Sequence, residues 1–356
     1  MPLWQTAKDI LGVEPRQQKV GQIGSLLDAD TGQNRITMIG TQGSGKSVLL
    51  SHLLIAGDRL VEKTPADKIF RLLVNEGSSN LEHDKCAMRA GNFPPKTAKL
   101  KATSIEPGLT FEWANVSTVL GQRIETGKKV VKMPIADLAG EDLCQLIEKV
   151  NAVRTLQDAE QLNAQRVTNI VTQSSAFLFI VKASRLQGLD DVPIEEEPTD
   201  VNGMSIYSDA NFKRMLDGIV RYKRQNRNSP PIRSIGFVIT AWDTLEPVAK
   251  QIQAITGEPF DPTDAKISQE SLGRLVTACL RSTSAAIKSL EIPNVKYFPS
   301  WVETKKDVTT GKEHIVRNQM FEPGRRWDEN VNSIKYSEAW DWRIIDWIKE
   351  TATVTG

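Results

Sequence analysis

The sequence predicts a three-layer α/β domain with a mostly parallel sheet and an antiparallel ribbon at one edge. Four short apolar runs have the length and composition of buried strands: 36–39, 175–182, 234–240 and 294–298. Longer stretches with helical periodicity alternate with them, and right-handed crossovers then place helices on both faces of the sheet. Three segments with alternating apolar residues are expected to form the ribbon: 98–105, 109–114 and 129–136.

Composition describes an ordinary globular chain. Of the 356 residues, 40% are hydrophobic and 25% are charged, which is enough for a real core. The net charge of +1 gives no electrostatic case for nucleic acid or anionic membrane as a partner. Cys86, Cys144 and Cys279 are widely spaced, so neither a disulfide framework nor a zinc site is indicated. With no signal-peptide core and no apolar run of about 18 residues, we expect a cytoplasmic protein without a membrane span.

We expect three parts along the chain. Residues 1–34 are an N-terminal lead-in, 35–302 form a nucleotide-binding domain with insertions, and 303–356 are a C-terminal extension. The extension begins as a charged, irregular segment over 303–330. It ends in an amphipathic helix that places four large apolar residues on one face: Trp340, Ile344, Trp347 and Ile348. We expect that face to pack into the core.

The most informative stretch is the glycine loop, residues 40–47, with the sequence G-x-x-x-x-G-K-S. An apolar strand precedes this loop. Helical periodicity follows from Val48, with Gly57 as the expected end of the helix. This order of strand, glycine loop and helix is the context in which such a loop binds the phosphates of a nucleotide.

The residue types of the glycine loop suit that chemistry. Glycines let the backbone turn sharply and leave room for phosphates beside the amides, which the helix N-terminus reinforces. Lys46 can reach the β- and γ-phosphates, and the Ser47 hydroxyl can ligate Mg²⁺. We expect seven residues to contact the nucleotide: Gly40, Gly43, Ser44, Gly45, Lys46, Ser47 and Val48.

The segments between the strands carry weaker signals. An apolar run at 69–74 fits a strand or a helix, and 75–95 has the composition of a long functional loop. Residues 141–173 are helical in pattern. Two helix faces are clear. The first helix, which Ser208 or Asp209 is expected to cap, has five apolar residues on one face: Phe212, Met215, Leu216, Ile219 and Val220. The second helix, which Ser268 is expected to cap, also has five such residues on one face: Leu272, Leu275, Val276, Cys279 and Leu280.

A second chemical motif is Asp137-Leu-Ala-Gly140, at the end of the third ribbon segment. A carboxylate in this position can hold Mg²⁺, usually through a water molecule. The amide of Gly140 can meet the γ-phosphate, so the segment can sense whether that phosphate is present.

A third motif is Asp243, which follows the strand 234–240. A carboxylate there can accept two hydrogen bonds from the ring N–H and the exocyclic amine of guanine, whereas adenine offers no matching pair of donors. The alternative interpretation is that Asp243 is a helix N-cap before Thr244.

Together these motifs resemble the Ras-like, translation-factor-related class of GTPases over residues 36–300. The glycine loop resembles the phosphate loop of that class, and Asp137–Gly140 resembles its D-x-x-G switch. Thr240-Ala-Trp-Asp243 resembles its base motif, except that Ala241 replaces the lysine that normally packs along the base. Ser300 falls where the last base-contacting loop of the class lies, without the usual Ser-Ala pair.

The resemblance also implies catalytic and metal roles. A switch threonine should ligate Mg²⁺ together with Ser47 and Asp137; Thr97 fits the ribbon, while Thr64 fits the usual spacing. Glu141 stands where many relatives have a glutamine that positions water, which implies slow intrinsic hydrolysis. No arginine finger is assigned, although three arginines are available: Arg123, Arg154 and Arg166.

The expected function is a Mg²⁺-dependent GTP-binding switch that hydrolyses GTP slowly to GDP and phosphate and acts on a protein partner or with an activating protein. The long loop, the ribbon and the length are similar to the bacterial double-GTPase group. Two alternatives remain. One is an ATPase using Asp137 and Glu141, favoured by Ala241. The other is a non-hydrolysing module whose bound nucleotide only stabilises a partner-binding surface, such as the C-terminal helix with its tryptophans.

Overall fold

The computed structural model describes residues 34–40, 43–75, 78–94, 108–119, 122–134, 169–186, 188–189, 209–262, 266–316 and 334–353. The strands are β1 (Ile36–Gly40), β2 (Lys68–Val74), β3 (Gly108–Val119), β4 (Gln122–Pro134), β5 (Ala176–Lys182), β6 (Ser234–Thr240), β7 (Asn294–Pro299), β8 (Thr304–Lys306) and β9 (Glu313–Ile315). The helices are α1 (Lys46–Lys63), α2 (Ser79–Arg89), α3 (Asp209–Gln225), α4 (Ala249–Thr256), α5 (Gln269–Cys279), α6 (Arg281–Ser289) and α7 (Glu338–Thr353). Short 3-10 helices span Ala183–Arg185 and Trp242–Val248.

A parallel sheet of four strands in the order β1-β5-β6-β7 lies at the centre of the fold. The prediction of these four strands is confirmed. Strands β1, β5 and β6 are apolar and almost fully buried, as strands covered on both faces must be. Phe237 stacks with Phe179 on one side and Tyr297 on the other, with centroids 5.5 and 5.8 Å away, which ties three strands together.

An antiparallel sheet in the order β2-β3-β4 forms the predicted ribbon, with different members. Its outer strand is β2, so the run at 69–74 is a strand; the expected strand at 98–105 lies outside the described residues. Strand β4 begins well before residue 129. Gly127 lies inside β4 with φ of 60°, near a register shift between Trp113 and Asn115.

Strand β4 brings this ribbon alongside the parallel sheet. Arg35 forms a parallel bridge with Lys132, and the amide of Lys132 donates to the carbonyl of Asn34 at 3.0 Å. Because β4 runs parallel to β1, its C-terminal end points to the same edge of the sheet as the glycine loop. Pro134, the last residue of β4, therefore lies at that edge.

Helix α1 continues through Gly57, so the predicted end of this helix is wrong. The helix runs to Lys63, and Gly57 is buried within it. A Cβ placed on Gly57 would lie 2.5 Å from Leu72 Cδ2 on β2. The glycine therefore allows close packing of the helix on the strand instead of ending the helix.

Helix α2 occupies much of the segment that was expected to be a loop, 75–95. Its buried residues Leu81, Asp84 and Met88 fall on one face, at intervals of three and four. The many charged residues around them hid that face, so the loop prediction is wrong for 79–89. Glu82 in the first turn and Arg89 in the last suit the helix dipole.

The two periodic helices are confirmed; of the two caps predicted for α3, Asp209 is wrong and Ser208 lies outside the described residues. Ser268 caps α5 by accepting a hydrogen bond from the Ser271 amide at 3.1 Å. Asp209 is the first residue of α3 and instead caps α6, because its carboxylate accepts from the amides of Ser282 and Thr283. These bonds lower the pKa of Asp209 against the opposing effect of burial, which is the largest single contribution.

The C-terminal region is more regular than its composition suggested. Strands β8 and β9 form a hairpin within the segment predicted to be irregular. Helix α7 packs against α1, β4 and β7, and Trp340 and Trp347 are 2% exposed. Core packing of these tryptophans is thus confirmed. None of the helices in the described ranges is long and apolar enough to span a membrane.

Candidate functional site

The glycine loop joins the buried strand β1 directly to the N-terminus of α1. Gly43 and Gly45 have φ of 70° and 87°, a region that disfavours every residue with a Cβ. A Cβ on Gly40 would lie 2.6 Å from Ser44 Oγ and 2.9 Å from Ile180 Cβ, so glycine is required there by close contact. Residues 41 and 42 lie outside the described ranges. Backbone conformation at Gly43 and Gly45 and close contact at Gly40 therefore require the three glycines that the sequence motif contains.

The N-terminus of α1 suits an anion. The helix starts at Lys46, and its N-cap residue, Gly45, provides no side-chain hydrogen bond. The first turn contains no acidic residue, and the Leu49 amide makes the first bond of the helix, to the Gly45 carbonyl at 2.9 Å. An 18-residue helix has a substantial dipole, which favours negative charge at this end. Ser47 and Val48 belong to the same first turn.

Lys46 is folded back over the glycine loop. Its ammonium Nζ donates to the Gly40 carbonyl at 2.7 Å, and the residue is only 9% exposed. A buried ammonium is held at the mouth of the loop by this bond. A negatively charged group placed inside the loop would meet it at close range, where the low dielectric strengthens the attraction.

Thr240, at the end of β6, is bonded to the glycine loop. Its hydroxyl donates to the Ser44 carbonyl at 2.6 Å and is 3.4 Å from the Val181 carbonyl. A Cβ on Gly45 would lie 3.1 Å from the Thr240 side chain. The residue that opens the predicted base motif therefore positions the loop across the sheet edge.

Ser300 and Asp243 lie on the continuations of β7 and β6. The Trp242 amide donates to the Ser300 carbonyl at 3.1 Å, and the Ser300 amide donates to the Ile239 carbonyl at 2.8 Å. The sequence interpretation of Asp243 as a helix N-cap is wrong. The 3-10 helix begins at Trp242, and Ala241 is its N-cap, with φ of 53°. Asp243 lies inside the first turn instead.

The Asp243 carboxyl has a pKa raised to about 6. Partial burial is the main cause, because it removes water from the charged form, and the negative charge of Glu313 on β9 adds to it. A hydrogen bond within Asp243 itself opposes the shift. A half-buried carboxylate with a raised pKa at the edge of a parallel sheet is typical of a functional position.

Arg185 is a member of this site that the sequence analysis missed. It ends the 3-10 helix that follows β5, and it is 7% exposed. A Cβ on Gly43 would lie 3.3 Å from Arg185 Nη2, so its guanidinium packs against the glycine loop. The available signal was position, because Arg185 follows the most apolar strand at the edge where ligands of parallel sheets bind.

Four predicted site residues lie outside the described ranges: Thr97, Asp137, Gly140 and Glu141. The alternative switch threonine, Thr64, is bonded to the Leu60 carbonyl at 2.6 Å. It lies at the far end of α1, roughly 27 Å from the glycine loop at 1.5 Å per residue. Arg123 donates to the Ala66 carbonyl at 2.8 Å near the start of β4, which is also remote from the loop.

The described residues contain no cluster of three His, Cys, Asp or Glu side chains that could hold a metal ion. Ser47 is thus the one described member of the predicted Mg²⁺ ligands. A hydroxyl ligand beside nucleotide phosphates suits Mg²⁺, which usually keeps several waters and takes only one or two protein ligands.

Comparison with protein-family models finds no family that matches the chain. Comparison with curated protein sequences finds no match either.

Proposed function

We propose that this protein is a GTP-binding switch built on a three-layer GTPase-like domain with a phosphate-binding loop. The observation that carries the proposal is the bond from Thr240 to the Ser44 carbonyl. It joins the glycine loop to the strand that leads to Asp243, so that a phosphate-binding element and a base-reading carboxylate are held at one edge of the sheet. Resemblance to the Ras-like, translation-factor-related class adds the expectation of a nucleotide-controlled switch.

The glycine loop would bind the phosphates. Its backbone amides and the N-terminus of α1 face the anion, and Lys46 exchanges its bond to the Gly40 carbonyl for the β- and γ-phosphates. Mg²⁺ supplies charge neutralisation of these phosphates when it is bound. Ser47, Thr97 and Asp137 would hold it.

Guanine would be recognised by Asp243 together with the loop at Ser300. The carboxylate accepts two hydrogen bonds from the edge of the base, and the partial burial that raises its pKa makes these bonds stronger than in water. Adenine would leave the carboxylate without these partners, which is an expensive mismatch in a half-buried site.

Hydrolysis of GTP would be slow. Glu141 is proposed to orient the attacking water, and its charge beside the γ-phosphate opposes the reaction. Slow turnover suits a switch that requires an activating protein. We propose that the segment around Gly140 senses the γ-phosphate and communicates its loss to a protein partner.

A titration with fluorescent GTP, GDP and ATP analogues in Mg²⁺ tests this proposal. We expect GTP and GDP to bind without ATP, and Asp243→Asn to shift the preference to xanthine nucleotides. Lys46→Ala should weaken binding by more than about 100-fold, since charge-assisted bonds to phosphate are lost. Lys288→Ala, an exposed lysine on α6, is the matched control and should bind as the wild type does. Equal or stronger binding of ATP would rule out the guanine switch.

An ATPase is the second candidate, because Ala241 lacks the side chain that packs along guanine in the resembling class. A non-hydrolysing module whose bound nucleotide stabilises a partner-binding surface is the third candidate, but the apolar face of the C-terminal helix does not provide that surface. Trp340 and Trp347 are buried, so that face is already covered by the core.

A further inference from the structure

We propose that Arg185 is a nucleotide-binding residue that contacts the α- and β-phosphates. This inference rests on the proposed function, because it assigns a further residue to the same site. Its basis is that the Arg185 guanidinium packs against the glycine loop, while the 3-10 helix that carries Arg185 lies against the segment that carries Asp243.

The backbone fixes this place. Lys182, the last residue of β5, pairs with Thr240, the last residue of β6, and the chain then turns through the 3-10 helix Ala183–Arg185. That helix lies against the 3-10 helix Trp242–Val248. On its other side, the guanidinium packs against Gly43, where a Cβ would be 3.3 Å from Nη2. Arg185 thus bridges the two halves of the proposed nucleotide site.

Chemistry favours phosphate as the ligand of this group. A guanidinium is planar, permanently charged and able to give two parallel hydrogen bonds to phosphate oxygens. Because Arg185 is 7% exposed, its rotamer is already restricted, so binding a phosphate sacrifices little side-chain freedom. The loop is then contacted by two cationic side chains: Lys46, from the helix that follows the loop, and Arg185, from the 3-10 helix that follows β5.

The position also selects which phosphates are contacted. The 3-10 helix that carries Arg185 lies against the 242–248 segment, where the base is expected. In the proposed complex, the phosphates nearest the nucleoside would lie on that side, and the γ-phosphate would lie toward Lys46 and the proposed Mg²⁺ ligands. A contact of this kind is present with GDP and GTP alike. Arg185 would therefore raise affinity for both nucleotides without acting specifically on hydrolysis.

Equilibrium titration of Arg185→Met and Arg185→Lys with fluorescent GDP and GTP analogues tests the inference. Methionine keeps the apolar stem, and we expect about 10- to 100-fold weaker binding of both nucleotides. Lysine keeps the charge without the fork and should recover part of the loss. Arg59→Met is the matched control, since Arg59 is a partly buried arginine that pairs with Glu338.

A second readout separates a ligand contact from a structural role. Phosphorus NMR of bound GDP should show a shifted α- or β-phosphate resonance in Arg185→Lys, and thermal unfolding of the unliganded variants identifies any loss of folding. Unchanged GDP affinity in a folded Arg185→Met protein would overturn the inference, as would slower turnover with unchanged GDP binding. If the wild type binds neither GDP nor GTP, the proposed function itself fails, and this inference fails with it.

Discussion

Helix α1 connects two polar regions that differ in how their buried groups are satisfied. At its N-terminus, Lys46 and the hydroxyl of Thr240 donate to backbone carbonyls of the glycine loop. In its middle, His52 faces Asp341 of α7 under the ring of Tyr336, and His52 and Asp341 are 0% exposed. There, both imidazole nitrogens and both carboxyl oxygens have no hydrogen-bond partner among the described residues.

This difference shows that access of solvent and ligand to the polar groups, and not burial alone, distinguishes a candidate site from a structural cluster. Burial lowers the pKa of His52 to about 3 and raises that of Asp341 well above 3.8, so burial favours the neutral form of both side chains. Asp243 is shifted only to about 6 because solvent still reaches it. A ligand can supply partners to Asp243, whereas the His52–Asp341 pair can exchange protons only when α7 moves or the chain unfolds.

Among the substitutions that test this difference between the two regions, Gly45→Ala is expected to have the largest effect on stability and nucleotide binding. Alanine is strained at φ of 87°, and its Cβ would come within 3.1 Å of Thr240, which anchors the loop. We expect a loss of about 2–3 kcal/mol in unfolding free energy from strain and crowding together, and loss of measurable nucleotide binding. Denaturant unfolding and nucleotide titration measure the two effects.

Gly311→Ala is the matched control for that substitution. Gly311 has φ of 67°, but a Cβ there would meet nothing within 4 Å. We expect about 1 kcal/mol of destabilisation from backbone strain alone and unchanged nucleotide binding. Equal effects of both variants would mean that the contact with Thr240 contributes nothing to the loop.

A smaller effect is expected from pH, through the carboxyl of Asp243. Guanine needs the ionised form, and a pKa of about 6 leaves roughly a tenth of the sites ionised at pH 5. GDP affinity should therefore fall about tenfold between pH 7.5 and pH 5. Fluorescence titration across this range measures it.

The terminal phosphate of the nucleotide also titrates near this pH, so a control is needed. Asp243→Asn keeps the phosphate contribution and removes the carboxyl, and its weaker GDP binding should change less with pH than that of the wild type. The same pH dependence in both proteins would show that Asp243 does not contact the base.

How far the sequence predicts the fold depends on the kind of signal. The central strands were predictable because strands buried on both faces are nearly continuous apolar runs, as in β6, where all seven residues are buried. Helix α2 was missed because charged residues surround its three buried positions. Gly57 was misinterpreted because a glycine that ends a helix and one that admits a neighbour, here Leu72, look alike in sequence.

The candidate site shows the same limit. The glycine loop was predictable because its spacing is local. The bond from Thr240 to Ser44 and the approach of Arg185 to Gly43 join residues more than 140 positions apart, which no local pattern reports. The cluster of His52 and Asp341 is equally non-local. Each residue alone looks like an ordinary helical position, and only the packing of α7 on α1 brings them together.

The smallest effect is expected on the unfolding free energy, from a substitution in the cluster of His52 and Asp341. For Asp341, the folded pKa is raised above the ordinary value of 3.8, so its contribution to stability is fully present below that pH and is lost as pH rises through the raised pKa. Asparagine does not titrate, and Asp341→Asn should therefore raise the unfolding free energy at pH 8 by about 1 kcal/mol. The gain is modest because Asp341 lies in the first turn of α7, where the helix dipole favours a carboxylate.

Denaturant unfolding at pH 8 and pH 4 checks this prediction, with Asp346→Asn as the control on an exposed position of the same helix. His52 acts in the opposite sense: with its pKa lowered from 6.5 to about 3, its contribution is present above pH 6.5 and is lost toward pH 3. Since His52 is present in wild type and variant alike, the difference between them isolates Asp341 and should shrink as pH falls. A variant that is less stable at pH 8 would mean that the carboxylate is ionised in the fold and paired with a protonated His52. Both polar regions of α1 would then contain buried charges, and they would differ only in whether solvent and a ligand can reach those charges.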